Sequence, residues 1–252
     1  MPETCNRRPT EMEVIEAENI GIMFKLRHEK KQTIKKSAMN IFGKRRPVQN
    51  FWALRNVSFK VNKGESLGVI GKNGSGKTTL LRIIGGIFKP DEGSIKVEGK
   101  VSTLLSRTVG FQPELSGLEN IYLSGTILGL KKKKIDAIID DIIDFSELNN
   151  FIDVPIKTYS AGMYARLGFS IVVNIERDVI LIDEILGVGD SRFKEKCETK
   201  MRQFKERGKT IILVSHNLEA IKKSCDRAVL LDKGAITAEG KPEKVVERYL
   251  NS

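Results

Sequence analysis

The segment at positions 71–78, GKNGSGKT, constrains the fold of this chain more than any other feature of its sequence. It has the pattern GxxxxGK(S/T), follows the apolar run Ser66–Ile70 and precedes the helical apolar pattern Lys77–Ile84. Its glycines let backbone N–H groups surround a phosphate, and the start of the following helix adds positive potential. We therefore predict a strand, a phosphate-binding loop and a helix in this order.

The side chains of this loop predict a nucleotide as its ligand. Lys77 is expected to reach the β- and γ-phosphate oxygens, and the Thr78 hydroxyl is a suitable ligand for Mg²⁺. The residues that we expect to contact the nucleotide are Gly71, Asn73, Gly74, Ser75, Gly76, Lys77, Thr78 and Thr79.

Two adjacent carboxylates, Asp183 and Glu184, follow the apolar run 179–182. An apolar strand followed by Asp-Glu is by itself common, but here a phosphate loop precedes it in the chain. In such sheets the nucleotide lies at the carboxyl ends of the strands. We therefore expect Asp183 to bind Mg²⁺ through water, and Glu184 to orient or deprotonate the attacking water.

Strand and helix patterns alternate along the chain, which predicts a mainly parallel sheet covered by helices. The 252 residues are predicted to form a single domain, with a helical subdomain at about 113–173 and a short C-terminal helix at about 242–250. We predict strands at 13–20, 57–61, 66–70, 179–182, 211–214 and 228–231, a short strand or hairpin near 93–101, and helices at 77–84, within 118–148 and at 193–207.

The positive charge of the chain is concentrated in one segment. The formal net charge is +11, and residues 25–46 hold nine lysines and arginines against the single carboxylate Glu29. Apolar residues recur there at helical spacing, which predicts a basic amphipathic helix in an insertion at about 25–50. Charge alone permits a nucleic acid, an anionic membrane surface or an acidic substrate as partner, and a merely solvated helix carries equal weight.

The apolar runs are too short to cross a bilayer, because a membrane-spanning helix needs about 20 such residues. The N-terminus lacks the apolar stretch of a secretory signal. The three cysteines fit neither a disulfide framework nor a zinc site. We therefore expect a cytosolic protein.

Three further features narrow the class of phosphate-loop protein. The pentapeptide YSAGM at 159–163 precedes a helical pattern, Gln112 lies between the phosphate loop and this motif, and His216 follows the apolar run 211–214. With these features in this order, the sequence from about residue 13 resembles the ATP-binding subunits of ABC transporters. The resemblance implies an α/β P-loop NTPase of the ABC ATPase type, with a RecA-like mainly parallel core, an antiparallel β-subdomain and a helical subdomain. It also implies ATP and Mg²⁺ as cofactors.

The resemblance implies roles for individual residues. The signature Ser160, Ala161, Gly162 and Met163 would contact nucleotide held by a second copy, so that ATP joins two copies head to tail. Gln112 would sense Mg²⁺ and water and couple them to a membrane permease, His216 would contact the γ-phosphate, and Asp190 would cross the dimer interface. The catalytic set is Glu184, His216 and Lys77, and the Mg²⁺ set is Thr78, Gln112 and Asp183.

The motifs also depart from the family pattern. The usual signature is LSGGQ, and three of its five positions differ here, although Ser160 and Gly162 remain. The closer literal match at 115–117 follows Gln112 directly, so we assign it to the coupling loop. For the adenine platform Phe24, Phe51 and Trp52 compete, and we favour Phe24 because it lies at the expected strand end.

Segments 111–120 and 183–190, the YSAGM signature and the basic insertion together resemble the branch that exports O-antigen, teichoic acid or capsular polysaccharide. This implies a membrane permease partner, a peripheral position on the cytoplasmic side of a bacterial or archaeal membrane, and a membrane surface or lipid-linked glycan near the insertion. We expect no C-terminal carbohydrate-binding domain and no nucleic acid. The alternatives are an ABC ATPase for another membrane cargo, or a soluble ABC ATPase acting on nucleic acid or ribosomes; a phosphate-loop kinase leaves Ser160, Asp190 and His216 unexplained.

Overall fold

The computed structural model describes residues 12–26, 49–104, 110–175, 177–183 and 191–252. The basic amphipathic helix predicted within 25–50 lies outside these residues. The strands are β1 (Glu13–Leu26), β2 (Gln49–Asn62), β3 (Ser66–Ile70), β4 (Glu92–Val97), β5 (Val101–Leu104), β6 (Val179–Asp183), β7 (Thr210–Val214), β8 (Arg227–Asp232) and β9 (Ala235–Gly240). The helices are α1 (Lys77–Ile84), α2 (Gly117–Ile127), α3 (Lys132–Asp136), α4 (Ile139–Ser146), α5 (Ala161–Asn174), α6 (Ser191–Glu206), α7 (Leu218–Ser224) and α8 (Pro242–Leu250), with short 3-10 helices at Asn149–Phe151 and Ile156–Thr158.

The main sheet has six strands in the order β5-β6-β7-β3-β8-β9. All neighbouring pairs are parallel except β8 and β9, which form an antiparallel edge. The strands β3 and β7 are buried along their whole length, which explains why they read as continuous apolar runs.

A second sheet is antiparallel, with the order β2-β1-β4. Both β1 and β2 extend beyond the predicted 13–20 and 57–61, because their outer halves pair with each other and place Phe24 opposite Phe51. Asn19 and Asn56 adopt positive φ values of 49° and 52°, and the register between the strands shifts near both residues. This irregularity interrupts the alternation of apolar and polar residues on which the prediction rested.

Of the two alternatives predicted near 93–101, the short strand is confirmed as β4. The hairpin is wrong, because β4 pairs with β1 whereas β5 pairs with β6 in the other sheet. The chain changes sheets at Gly99, whose φ is +89°. A Cβ there would lie 2.8 Å from Asp178, whose carboxylate accepts a hydrogen bond from the Lys100 N–H at 2.8 Å. The edge strand β9 was not predicted.

Buried apolar side chains form clusters on both faces of the main sheet and inside the helical part, which we define as residues 117–174. One cluster joins the two sheets and α1, and a second packs α5, α6 and α7 on the other face. The third fills the helical part. This arrangement confirms the predicted fold class: a mainly parallel core with an antiparallel and a helical part. None of the described helices has the length and apolar character that a membrane span requires.

Glu147 connects the helical part with α6. It follows α4 with a positive φ of 57°, and its carboxylate lies 3.2 Å from Arg166 on α5 and 3.3 Å from Lys196 on α6. The Lys196 ammonium also donates to the Phe145 carbonyl at 3.1 Å, and the Arg166 guanidinium lies over the Phe193 ring. One carboxylate therefore links three helical segments.

Candidate functional site

The phosphate loop is held close to the neighbouring backbone by its glycines. A Cβ on Gly71, whose φ is +154°, would lie 2.1 Å from the Leu231 carbonyl oxygen, and one on Gly76 would lie 2.7 Å from that of Ala53. Gly74 also has a positive φ, of 80°, but no neighbouring atom of the described residues lies within 4 Å of a Cβ built there. The loop is thus packed on one side and open where Gly74 lies.

The two charged groups of the site are both partly removed from water. The Lys77 ammonium donates hydrogen bonds to the carbonyls of Gly71 at 2.7 Å and Lys72 at 3.0 Å, and burial lowers its pKa although nearby Asp183 opposes this. The Thr78 hydroxyl donates to the Asp183 carboxylate at 3.1 Å. Burial raises the pKa of Asp183, opposed by this hydrogen bond and by the positive charges around it.

This arrangement fits a triphosphate with a divalent cation. The Ser75 hydroxyl in the loop is buried and has no hydrogen-bond partner among the described residues. Lys77 presents a cation to phosphate, and a carboxylate beside a hydroxyl is the oxygen donor set that Mg²⁺ prefers. The site therefore presents a cation suited to phosphate and oxygen donors suited to a divalent cation.

Most of the predicted nucleotide residues line one cleft of about 340 Å³, and Gly71 and Ser75 are the two that do not. Its walls are Phe24, Phe51, Ala53, Asn73, Gly74, Gly76, Lys77, Thr78, Thr79, Asp183 and His216. His216 lies close enough to Asp183 for its charge to affect the pKa of that carboxyl. The cleft thus brings together residues from β1, β2, the phosphate loop, β6 and the segment after β7.

Phe24 and Phe51 form a cross-strand pair beside the phosphate loop, and both rings are exposed, by 37% and 48%. Phe24 also packs edge-on against Phe88. Trp52 is one residue along β2, so its ring faces the opposite side of the strand, where it approaches Gly21 and Arg55. Two aromatic rings therefore line the cleft and Trp52 does not. Sequence reasoning favoured Phe24 alone because the β1–β2 register cannot be read from the sequence.

The turn between β8 and β9 joins the phosphate loop to β2. The Gly234 N–H donates to the Ser75 carbonyl at 3.0 Å, and the Gly234 carbonyl accepts from the Arg55 N–H at 2.9 Å. Gly234 has a φ of +82°, and a Cβ would lie 2.8 Å from the Ala53 carbonyl oxygen. Sequence reasoning missed this residue, whose signal is the Lys-Gly pair between two apolar strands.

The signature residues lie at the exposed start of α5, and they do not line the cleft. The Ser160 hydroxyl caps this helix by accepting from the Met163 N–H at 3.2 Å. Ser160 and Ala161 are exposed. Within the part of the chain that the structure describes, a Cβ on Gly162 would contact only the Ser160 hydroxyl, at 3.8 Å. The start of α5 is therefore accessible to a ligand outside this chain's own cleft.

Gln112 is exposed and does not line the cleft either. Its backbone is fixed by Asn120, a fully buried side chain that sequence reasoning missed. The Asn120 amide accepts from the Gln112 N–H at 2.8 Å and donates to the carbonyls of Gln112, Leu115 and Ser116. Ser116 begins α2 through a reciprocal cap with Glu119. The segment at 115–117 is thus the start of a helix, adjoining Gln112.

Glu184 and Asp190 lie outside the described residues, and their roles stay predictions. Asp183, the residue before them, is the last residue of β6.

The comparisons with known proteins agree with this geometry. Residues 54–187 match the ABC transporter family. The O-antigen export system ATP-binding protein RfbB of Klebsiella pneumoniae is 45% identical over 201 residues, which cover 80% of this chain and 82% of that protein. The teichoic acids export ATP-binding protein TagH of Lactococcus lactis is 49% identical over 201 residues, which cover 80% of this chain and 43% of that protein.

Solved structures share the fold. A dimeric post-hydrolysis state of an ATP-binding cassette bound to ADP and Pi superimposes with a TM-score of 0.73 at 22% identity, covering 90% of this chain and 98% of that one. The ATP-binding subunit of an ABC transporter gives the same TM-score at 21% identity, covering 94% of this chain and 93% of that one. Together with the phosphate loop and its cleft, the matches show that this chain belongs to the ABC transporter family of ATP-binding proteins.

Proposed function

We propose that this chain binds and hydrolyses ATP, dimerises on Mg-ATP, and powers export of a lipid-linked polysaccharide through a separate membrane permease. The observation that carries the proposal is the single cleft that unites Lys77, the Thr78–Asp183 pair and His216 with two exposed aromatic rings. The names of the two relatives support an O-antigen-like or teichoic-acid-like cargo.

Binding follows from the groups that line the cleft. The backbone N–H groups of the loop surround the phosphates, and Lys77 exchanges its two carbonyl contacts for phosphate oxygens, which carry full charge. Phe24 and Phe51 form the platform for the base. Thr78 and Asp183 would hold Mg²⁺, which would supply neutralisation of the phosphate charge when bound.

Hydrolysis is assigned to Glu184, which follows Asp183 at the end of β6. Its carboxylate accepts a proton from water while the water oxygen bonds to the γ-phosphorus and the bond to the β–γ bridging oxygen breaks. His216, on the wall of the cleft beside Asp183, contacts the γ-phosphate and holds it in position.

Dimerisation is supported by the position of the signature. Ser160 and Gly162 lie at the exposed start of a helix of 14 residues, away from this chain's own cleft. A helix N-terminus attracts phosphate, so the natural ligand of this one is nucleotide held by a second copy. In this proposal Asp190 crosses the dimer interface. Gln112 couples the nucleotide site to the permease.

Replacing Glu184 tests the enzymatic part. Glu184→Gln should keep ATP binding, lower hydrolysis by roughly two orders of magnitude or more, and trap a dimer, because the proton acceptor is lost while the phosphate contacts remain. Lys77→Ala is the matched control and should lose both ATP binding and the dimer. The measurements are ATP binding, phosphate release and mass by light scattering. Hydrolysis at the wild-type rate in Glu184→Gln would remove Glu184 from its role.

The cargo requires a separate experiment. In a purified complex of this chain with its permease, ATP hydrolysis should become several-fold faster when undecaprenyl-linked glycan is added. Neutralising the lysines and arginines of 25–46 should reduce this stimulation, because a basic helix near the membrane binds anionic lipid groups. A stable complex indifferent to the glycolipid would contradict polysaccharide export and favour another membrane cargo.

A further inference from the structure

A second cavity, of about 370 Å³, lies between α6, α7 and the main sheet. Its floor is apolar and is formed by Met201, Ile211, Leu213, Ala220 and Cys225. Its polar lining consists of Ser66, Lys194, Glu198, Arg202, Lys205, Ser215, His216, Asn217, Lys223 and Ser224. The volume falls within the range of about 300–1,000 Å³ that is usual for small-molecule sites.

A buried hydroxyl in this cavity has no partner. Ser66 is 2% exposed, and its Oγ has no hydrogen-bond partner among the residues that the structure describes. Leaving such a group unpaired in the interior destabilises the folded chain. The unpaired hydroxyl therefore marks a position at which a polar group of a ligand would improve the site.

Positive charge is concentrated at the end of the cavity where Ser66 lies. The Ser66 N–H donates to Asp226 at 2.9 Å, and Asp226 accepts from Lys205 at 2.6 Å, which places the last turns of α6 at this end. Arg202 lies one turn before Lys205, and Lys223 is two residues before Cys225. Within the described residues neither Arg202 nor Lys223 is paired with a carboxylate, so both are available to an anion.

The apolar floor runs away from this end along β7. Ile211 and Leu213 are two residues apart and share one face of the strand, and the five residues of β7 span roughly 16 Å. His216, after the strand, lines the far end. An apolar floor that extends along one strand away from a positively charged end suits an alkyl chain that carries an anionic headgroup.

We propose that this cavity binds a single-chain amphiphile with one anionic headgroup, the headgroup at Ser66, Arg202 and Lys223 and the alkyl chain along Ile211 and Leu213 towards His216. This proposal needs no nucleotide at the other site and is tested without one. The headgroup is a carboxylate or a phosphate, which two probes distinguish.

The test measures the binding of octanoate and octyl phosphate to the full chain by calorimetry, below their micelle concentrations, with octanol as the neutral comparison. Saturable binding of at least one anion, at least about fivefold tighter than octanol, is expected because ion-assisted hydrogen bonds are the stronger ones. Affinity equal to that of octanol, or no saturable binding, would overturn the proposal.

Two pairs of variants locate the site. Ser66→Ala should weaken binding of the preferred anion at least about threefold, whereas Ser102→Ala, which removes another buried and unpaired hydroxyl outside the cavity, should leave it unchanged. Both should raise the urea midpoint of the free protein or leave it unchanged. Arg202→Gln should weaken binding about tenfold. Lys194→Gln, two turns earlier on α6, should leave the affinity unchanged. Equal losses of affinity in Arg202→Gln and Lys194→Gln would refute the assigned headgroup position.

A cavity-filling variant gives an independent readout. Ala220→Leu places two branched methyl groups over the floor and should abolish octanoate and octyl phosphate binding, while the circular dichroism spectrum stays that of the wild type. Unchanged affinity in a folded Ala220→Leu protein would exclude the cavity as the binding site. If this variant does not fold, the Ser66 and Ser102 pair decides.

His216 forms a wall shared by the cavity and the nucleotide cleft, which couples their occupants. This coupling rests on the proposed nucleotide site, whereas binding in the cavity does not. Because His216 lines both the cavity and the nucleotide cleft, an occupant that contacts it changes ATP affinity, and ATP changes the affinity of the occupant by the same factor. A reciprocal change of roughly fivefold is expected. Binding of the amphiphile with no change in ATP affinity would overturn this coupling and leave the binding site itself supported.

Discussion

Asp183 shows that binding and stability can oppose each other at a single residue. Its carboxylate accepts a hydrogen bond from Thr78, yet burial raises its pKa above the ordinary value of 3.8. A raised pKa in the folded state means that the folded chain holds its proton more tightly than the unfolded chain does. Stability from this group is therefore present in acid and falls as the pH rises through the folded-state pKa.

Replacement of Asp183 by Asn should therefore stabilise the nucleotide-free protein near neutral pH, because the uncharged amide still accepts from Thr78. The gain should shrink as the pH falls through the raised folded-state pKa of the wild-type carboxyl, since that carboxyl then takes up its proton. Hydrolysis should fall roughly a hundredfold or more, because the cation loses its carboxylate. Urea unfolding between pH 4.5 and 7.5 checks this, with exposed Asp153→Asn as the control. A lower midpoint for Asp183→Asn at pH 7 would show that the charge stabilises the fold.

Individual site residues differ in how far sequence could assign them. Lys77, Thr78 and Asp183 belong to contiguous motifs whose neighbours fix their surroundings. Asn120 does not, because its importance comes from three carbonyls and an N–H group that only the folded loop brings within hydrogen-bond distance. An asparagine near a helix start is too common in sequences to be singled out.

The glycines of the phosphate loop differ in how much space each one has for a side chain. Gly71→Ala brings a Cβ to 2.1 Å from a backbone carbonyl, whereas Gly74→Ala meets no atom within 4 Å and bears only the strain of its φ. We expect a loss of unfolding free energy of about 1 kcal/mol for Gly74→Ala and about 3 kcal/mol or more for Gly71→Ala. Urea unfolding without nucleotide measures both. Equal losses would mean that the loop shifts freely away from Leu231.

The elements that sequence predicted well are those with an uninterrupted pattern. The strand β3 and the helix α1 were predicted with the observed bounds, because the apolar run and the helical period directly flank the phosphate-loop motif. The outer halves of β1 and β2 were missed, since they are stabilised by each other across the insertion between them. The edge strand β9 is only partly buried, so its pattern is too weak to detect.

At the scale of the whole molecule, the Glu147 network joins the helical part to α6, the helix that follows the segment 184–190. Its three central side chains are mostly removed from solvent, with Arg166, Glu147 and Lys196 exposed by 17%, 27% and 35%, whereas Arg192, at 4.0 Å from Glu147, is exposed. The Glu147 carboxylate therefore connects α6 with α5, the helix whose first residues carry the signature. The helical part and α6 are thus connected by charged groups as well as by apolar packing.

Glu147→Gln keeps the shape of this link and removes its charge, leaving two half-buried cations without their counter-ion. We expect a loss of about 1–2 kcal/mol of unfolding free energy and faster amide hydrogen exchange in α4 and α5. Glu114→Gln is the control, because the Glu114–Lys157 pair is largely exposed and should contribute little. Unchanged exchange in α4 and α5 would show that apolar contacts alone hold the helical part in place.

The backbone contacts of Gly234 limit which positions around the nucleotide cleft can be substituted. It fixes the separation of the aromatic pair from the phosphate loop through backbone atoms alone, from Arg55 through Gly234 to Ser75. The side chain at position 55 can therefore change without altering this separation, whereas Gly234 cannot be replaced without moving the Ala53 carbonyl. Related sequences that keep Gly234 can therefore differ on the surface around the cleft and still accommodate a nucleotide of the same length.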